Sequence, residues 1–176
     1  PMPGMSAAVH LPVAGISTAA QAFFDQGLTH LHGFWYFEAE RSFRQVAKLH
    51  PDCAMAYWGM TLANIENVER AAGFIANAVR RSQSAPRYEQ LWIDAWAAYY
   101  LLDEPARNEL RAGDDARAKA AIAALLVANK DRSKAKREQL DKQLLKDLGT
   151  IVHEFPDDIE AKARLALQIW HAYDWG

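Results

Sequence analysis

The strongest regularity in this chain is a repeat of 34 residues in its front part. An apolar, helix-like segment near Phe23 returns after one step of that length and again after a second step. Five positions keep their physical class in all three copies, with a small residue at one of them and large apolar residues at the others. The five sets are Phe23, Tyr57 and Leu91; Phe24, Trp58 and Trp92; Gly27, Thr61 and Ala95; Leu28, Leu62 and Trp96; and Leu31, Ile65 and Tyr99. The front part is therefore predicted to contain three copies of one helical unit.

A repeat of this length suits a pair of antiparallel helices. In the first copy a second helix is predicted to begin near Tyr36, to carry Ala39 and Phe43 on its inner face, and to stop before Pro51. A small residue such as Gly27 lets the two helix backbones approach closely. One such hairpin cannot bury its apolar face alone, so the copies must stack. The sequence predicts an all-α stack of hairpins.

The segment from Phe23 to Pro51 resembles the tetratricopeptide repeat, with Gly27 in the first helix, Ala39 and Phe43 in the second, and a proline at the end. Three stretches are similar to a subgroup of bacterial tetratricopeptide proteins that are often exported and mostly without assigned activity. They are residues 22–28, 39–44 and 54–59. Members of that subgroup tend to carry Asn-His where this chain has Tyr36-Phe37. The resemblance implies a periplasmic or secreted protein.

The predicted fold is an α-solenoid of about three such hairpins with extra helices. Residues 1–16 are rich in Pro, Gly and Ala without periodicity and are predicted to form a leader that is either flexible or draped over the surface. Residues 17–176 are predicted to form a single array in which residues 103–115 are irregular and further helices follow at about 116–129, 133–153 and 159–172. The array divides into repeat 1 (17–51), repeat 2 (54–84), an irregular repeat 3 (87–156) with an insertion (103–130), and the first helix of a further repeat (157–176).

The resemblance implies that the first helix of each hairpin lines a concave groove in which a partner lies. Large aromatic side chains repeated along such a wall would suit an apolar or peptide ligand. The alternative for Trp58 and Trp92 is that they pack between consecutive hairpins. The predicted groove residues are Phe24, Leu28, Leu31 and His32; Trp58, Leu62, Ile65 and Glu66; and Trp92, Trp96 and Tyr99.

Charge and motifs exclude several classes of function. The net charge of −2 offers no surplus of positive charge to neutralise phosphates, so nucleic acid is not an expected partner. The apolar runs are too short for a membrane-embedded helix. No phosphate-binding loop, dinucleotide-binding glycine run, GxSxG or HExxH motif is present. The chain is therefore predicted to be neither an enzyme nor a cofactor protein.

Two sets of possible metal ligands can be read from the sequence. His30 and His32 are two residues apart on a predicted helix, so their side chains point in different directions and cannot easily share one ion. His10 with Met2 and Met5 forms a set of soft ligands in the leader that could suit copper. No metal site is predicted, and copper binding is kept as an alternative.

Two further features have a functional and a structural interpretation. Cys53, the only cysteine, lies near a predicted helix start, which could lower its thiol pKa, or it could simply be a small packed residue. The segment 130–137 carries five basic residues and could contact an acidic partner or form a solvated helix face. In both cases the structural interpretation is favoured.

The function predicted from these observations is binding of another protein or a peptide on the concave face, as a scaffold. The partner cannot be read from the sequence, and neither can the oligomeric state. The alternative is a small-ligand or copper-binding accessory protein of the bacterial cell envelope, which would use the groove tryptophans or the His/Met leader.

Overall fold

The computed structural model describes residues 9–113, 115–130 and 132–173. In this part of the chain the regular secondary structure is all helical, with no strand, as the all-α prediction requires. Its helices are α1 (Thr18–His32), α2 (Tyr36–Leu49), α3 (Ala54–Leu62), α4 (Val68–Arg81), α5 (Arg87–Tyr99), α6 (Glu104–Arg111), α7 (Asp115–Ala128), α8 (Lys134–Glu154) and α9 (Ile159–Tyr173), with a 3₁₀ turn at Ser82–Ser84.

Short polar side chains set several helix starts. Ser17 Oγ accepts a hydrogen bond from the Ala20 N–H, and Asp158 Oδ1 accepts one from Ala161, so both side chains satisfy backbone donors that have no partner inside the helix. Asp103 caps α6 in the same way, where the sequence predicted irregular structure. That prediction is wrong because a cap followed by a proline in the first turn is itself a helix-start signal.

The helices pack mainly in pairs. Helix α1 packs on α2, α3 on α4, and α5 on α8, while α1 also touches α3 and α3 touches α5. Helices α6 and α7, which lie in the predicted insertion, pack on α4 and on each other. Helix α9 packs on α8. The third pair is thus made of helices separated in sequence by two others.

A continuous row of aromatic rings joins the first three hairpins. Phe24 of α1 stacks on Trp58 of α3 with 6.4 Å between ring centroids, and Trp58 meets Trp92 of α5 edge to face at 5.2 Å. All three side chains are fully buried. The three positions related by the 34-residue step therefore share one core, as the repeat pattern requires.

Phe43 of α2 fills the space between α1 and α3. A Cβ atom added to Gly27 would lie 2.7 Å from the Phe43 ring, and one added to Gly59 would lie 2.5 Å from it. Both distances are shorter than a carbon–carbon contact allows, so each glycine is what permits the ring to fit. The sequence pattern indicated Gly27 and missed Gly59.

Candidate functional site

The segment of residues 9–14, called the strap below, lies against the inner helices α1 and α5. Leu11 and Val13 are buried, whereas His10, Pro12 and Ala14 are exposed. This alternation is the pattern of an extended chain with one face toward the protein. Leu11 and Val13 belong to the same apolar core as the aromatic row.

Side chains of two helices hold the strap through its backbone. The Leu11 N–H donates to Asp25 Oδ1 at 3.4 Å, and the Val13 N–H donates to Gln21 Oε1 at 3.0 Å. The Leu11 carbonyl accepts from Gln21 Nε2 at 2.8 Å. At its far end the Ala14 N–H donates to Glu89 Oε1 of α5 at 2.7 Å. The strap is therefore bound in the way that an extended peptide is bound, by side chains that form hydrogen bonds with its main chain.

For residues 9–16 the structure agrees with the surface-draped form of the predicted leader and not with the flexible form. A turn at Ala14 and Gly15, where Gly15 has a φ of +72°, sends the chain back into α1 at Thr18. The buried side chains and the hydrogen bonds to Gln21, Asp25 and Glu89 fix this segment. Met2 and Met5 of the predicted copper set lie outside the described residues.

The groove prediction must be corrected for seven of its eleven residues, because these are buried in the core and present no accessible surface to a partner while the strap is in place. Their rings and aliphatic chains pack between the helices and beneath the strap, which is the structural alternative stated for Trp58 and Trp92. The seven are Phe24, Leu28, Leu31, Trp58, Leu62, Trp92 and Trp96. The other four retain accessible surface: His32 and Glu66 are exposed, and Ile65 and Tyr99 are half-buried.

A pocket of about 700 Å³ opens beside the strap. One wall is the strap from Val9 to Pro12, and the opposite wall runs from Glu154 at the end of α8 to Ala163 in α9. His32 of α1 and Tyr88 of α5 complete it. Of the eleven predicted groove residues, His32 is the one that lines this pocket.

Polar contacts across the pocket connect its walls. His32 Nε2 lies 2.7 Å from Glu160 Oε2, which joins α1 to α9, and Arg164 also pairs with Glu160. Burial by itself would raise the pKa of Glu160, but the hydrogen bond from His32 and the charge of Arg164 bring that pKa below its usual range. The Tyr88 hydroxyl donates to Asp158 at 2.6 Å. Burial and this bond raise the pKa of Tyr88.

The other candidates read from the sequence have structural roles. His30 is buried and stacks on Trp35 with 5.8 Å between ring centroids. Burial raises the pKa of the Cys53 thiol to about 11, which agrees with the favoured interpretation of Cys53 as a packed residue and not with a thiol activated by the helix start. Within the described residues no group of three or more His, Cys, Asp or Glu side chains could hold a metal ion. His10 is instead bonded to Asp25.

An exposed aromatic turn joins α1 to α2. Phe34, Trp35 and Phe37 are each more than half exposed, and Phe34 has a φ of +59°, which is unusual for a residue with a side chain. None of these three residues lines the pocket. The turn provides a second apolar surface against which peptide binding can be tested.

Comparison with known proteins gives no relative for this chain. No protein family matches it, and neither the curated proteins nor the solved structures include a significant match. Among the helices of the described residues, none combines the length and the apolar character needed to span a bilayer.

Glu89 offers a test of the strap anchor through pH. Burial raises the pKa of Glu89, and the hydrogen bond from Ala14 offsets only part of that effect. The folded chain therefore keeps this proton to a higher pH than the unfolded chain, whose glutamate titrates near about 4.3. Below that pH Glu89 is protonated, so its burial does not bury a charge. As the pH rises through the folded pKa, the buried carboxyl group becomes charged and the unfolding free energy falls.

We expect Glu89→Gln to gain stability relative to the unaltered chain as the pH rises from about 4 to 7. Urea unfolding at both pH values measures this difference. Glu69→Gln, on the exposed surface of α4, is the matched control and should show no such gain. A constant difference for Glu89→Gln across this range would contradict the burial of a charged group at the anchor.

Proposed function

We propose that this chain is a tetratricopeptide-like array that binds an extended segment of another protein along its inner face. One observation carries the proposal: the strap occupies that face in an extended form, with two side chains buried and its backbone hydrogen-bonded to α1 and α5. The stacked hairpins and the shared aromatic row support the repeat assignment.

The contacts of the strap are transferable to a partner. Gln21, Asp25 and Glu89 bond to main-chain groups, which every peptide carries. Recognition of this kind gives affinity through hydrogen bonds to the backbone, while specificity comes from the pockets that receive every second side chain. A partner segment could thus replace the strap without any change in the helices.

The experiment weakens the contacts of the strap by substitution and supplies the same segment as a separate peptide. Ala14→Pro removes the N–H that Glu89 accepts, and Leu11→Asp makes burial of the strap unfavourable. A fluorescein-labelled peptide of residues 9–16 should bind both variants about tenfold or more tightly than the unaltered chain, because a strap on a short linker competes at an effective concentration near millimolar. Fluorescence anisotropy measures the affinities.

Two controls test whether the peptide binds where the strap lies and not elsewhere on the protein. Phe37→Ser, in the exposed aromatic turn, should leave peptide binding intact when combined with Ala14→Pro. Thermal unfolding with and without peptide covers the case in which a release variant is destabilised, since a ligand of the folded state raises Tm. Absence of both an anisotropy change and a Tm change in the two release variants would sink the proposal.

The second candidate function is small-ligand binding, which the pocket beside the strap favours. Its volume of about 700 Å³ falls in the range of small-molecule sites. Ala163→Trp would fill this pocket without touching Gln21, Asp25 or Glu89. If the peptide is the ligand of the inner face, its binding persists in that variant; loss of peptide binding would assign the ligand to the pocket instead.

A further inference from the structure

The places in the protein that receive the strap side chains, called seats below, define which side chains a partner segment must carry. This inference rests on the proposed function and concerns its specificity. Three strap side chains meet the protein in ways that differ chemically: His10, Leu11 and Val13. Pro12 and Ala14 point to solvent, so their positions impose no side-chain requirement.

The first seat is a largely buried carboxylate. The Asp25 side chain is 10% exposed, and its Oδ2 lies 2.7 Å from His10 Nδ1. Its Oδ1 receives the Leu11 N–H and the amide of Gln21. A carboxylate withdrawn from water needs hydrogen-bond donors, and the strap supplies one of them through the His10 ring. This position therefore favours histidine, lysine or arginine and disfavours an acid.

The next two seats are apolar. Leu11 is 3% exposed and Val13 is 9% exposed, and both belong to the core that contains the aromatic row. They are two residues apart, so in an extended chain they point to the same side. A polar group at either position would be buried without a partner, which is costly.

The hydrogen bonds fix the direction of the segment. Gln21 donates to the Leu11 carbonyl and accepts from the Val13 N–H, while Asp25 accepts from the Leu11 N–H. Glu89 then accepts from the Ala14 N–H at the end that follows the second aliphatic residue. A peptide of reversed sequence would place its basic residue at the Glu89 end and leave Asp25 without its side-chain partner.

We infer that the inner face selects an extended partner segment in which a basic residue is followed by an aliphatic residue, any residue and a second aliphatic residue. The partner is thus a protein with such a segment in an accessible, non-helical region. The chain's own strap is the form of this pattern that occupies the site when no partner is present.

The test uses the Ala14→Pro chain and labelled peptides of residues 9–16. Replacing His10 by arginine in the peptide should keep the affinity, whereas His10→Glu should weaken it by about tenfold or more, through loss of the hydrogen bond from the ring and repulsion between two carboxylates. Leu11→Ala should weaken binding by about tenfold or more, as expected for the loss of buried methyl groups. Pro12→Ala should leave binding unchanged, and the reversed sequence should bind poorly.

A substitution in the protein tests the basic position independently. In the chain that carries Asp25→Asn with Ala14→Pro, His10→Glu in the peptide should no longer weaken binding by tenfold. If the reversed and the His10→Glu peptides bind as well as the parent peptide, the specificity is refuted while peptide binding itself stands. If no peptide binds, the specificity falls together with the proposed function.

A second copy of the chain is the competing occupant of this surface. Light scattering of the unaltered chain distinguishes it: a dimer that Leu11→Asp converts to monomer would show that straps are exchanged between copies, which would overturn the assignment to a different partner. A monomer in both samples agrees with the inference.

Discussion

Gly27→Leu is expected to lower the unfolding free energy by an amount at the upper end of the about 1–3 kcal/mol that overpacking typically costs. The first carbon of the new side chain would already lie 2.7 Å from the ring of Phe43. Phe43 has no exposed surface, and its ring also packs against Gly59 of α3. The ring therefore has no space into which it can move. The helices α1 and α2 must then separate.

Urea or thermal unfolding followed by circular dichroism measures this effect. Gly73→Leu is the matched control: Gly73 also lies inside a helix, but a Cβ atom there meets nothing within 4 Å. That control should gain up to about 1 kcal/mol, since glycine is a poor helix former. Combining Gly27→Leu with Phe43→Ala should recover part of the loss by making room. Equal stability of the two glycine variants would show that the α1–α2 contact is wrong.

Trp92→Ala is expected to cost about 3–5 kcal/mol of stability, because it leaves a large cavity in the core. Trp92 has no exposed surface, and its ring contacts both Trp58 and Tyr88. The sequence left two positions open for this side chain: on the binding wall, where its loss would reduce affinity, or packed between consecutive hairpins. Its full burial favours the packed position.

Chemical unfolding monitored by circular dichroism distinguishes the two positions of Trp92. Trp170→Ala, which removes a tryptophan that is 57% exposed on α9, is the control and should change the unfolding free energy by no more than about 0.5 kcal/mol. If Trp92→Ala is as stable as that control, Trp92 is not a core residue and the aromatic row must be rejected.

The sequence predicted those parts of the fold that depend on local signals and periodicity. The Ser17 cap and the stop before Pro51 follow from residues that are close in sequence. The 34-residue step identified Phe24, Trp58 and Trp92 as equivalent positions, but the prediction that they line a groove is wrong, because all three are buried. Gly59 was missed, although a glycine inside an otherwise apolar helix was a signal of close packing.

The candidate site could not be predicted from the sequence, because its contacts join residues that are far apart in the chain. Nothing local in the strap distinguishes it from a flexible leader; its partners are single side chains at Gln21, Asp25 and Glu89. The pocket likewise depends on α9 approaching α1 through His32 and Glu160, which are 128 residues apart. Periodicity identifies which faces are apolar, but it does not indicate which segment covers them.

The hydrogen bond between Ala14 and Glu89 joins residues that are 75 positions apart. A ribosome adds about 5–20 residues per second, so roughly 4–15 s separate the synthesis of these two residues. The strap, Gln21 and Asp25 are all synthesised before Glu89, so a nascent chain passes through a stage at which the strap is bonded to α1 alone. A partner engaged cotranslationally at that stage would compete with a strap that lacks its second anchor.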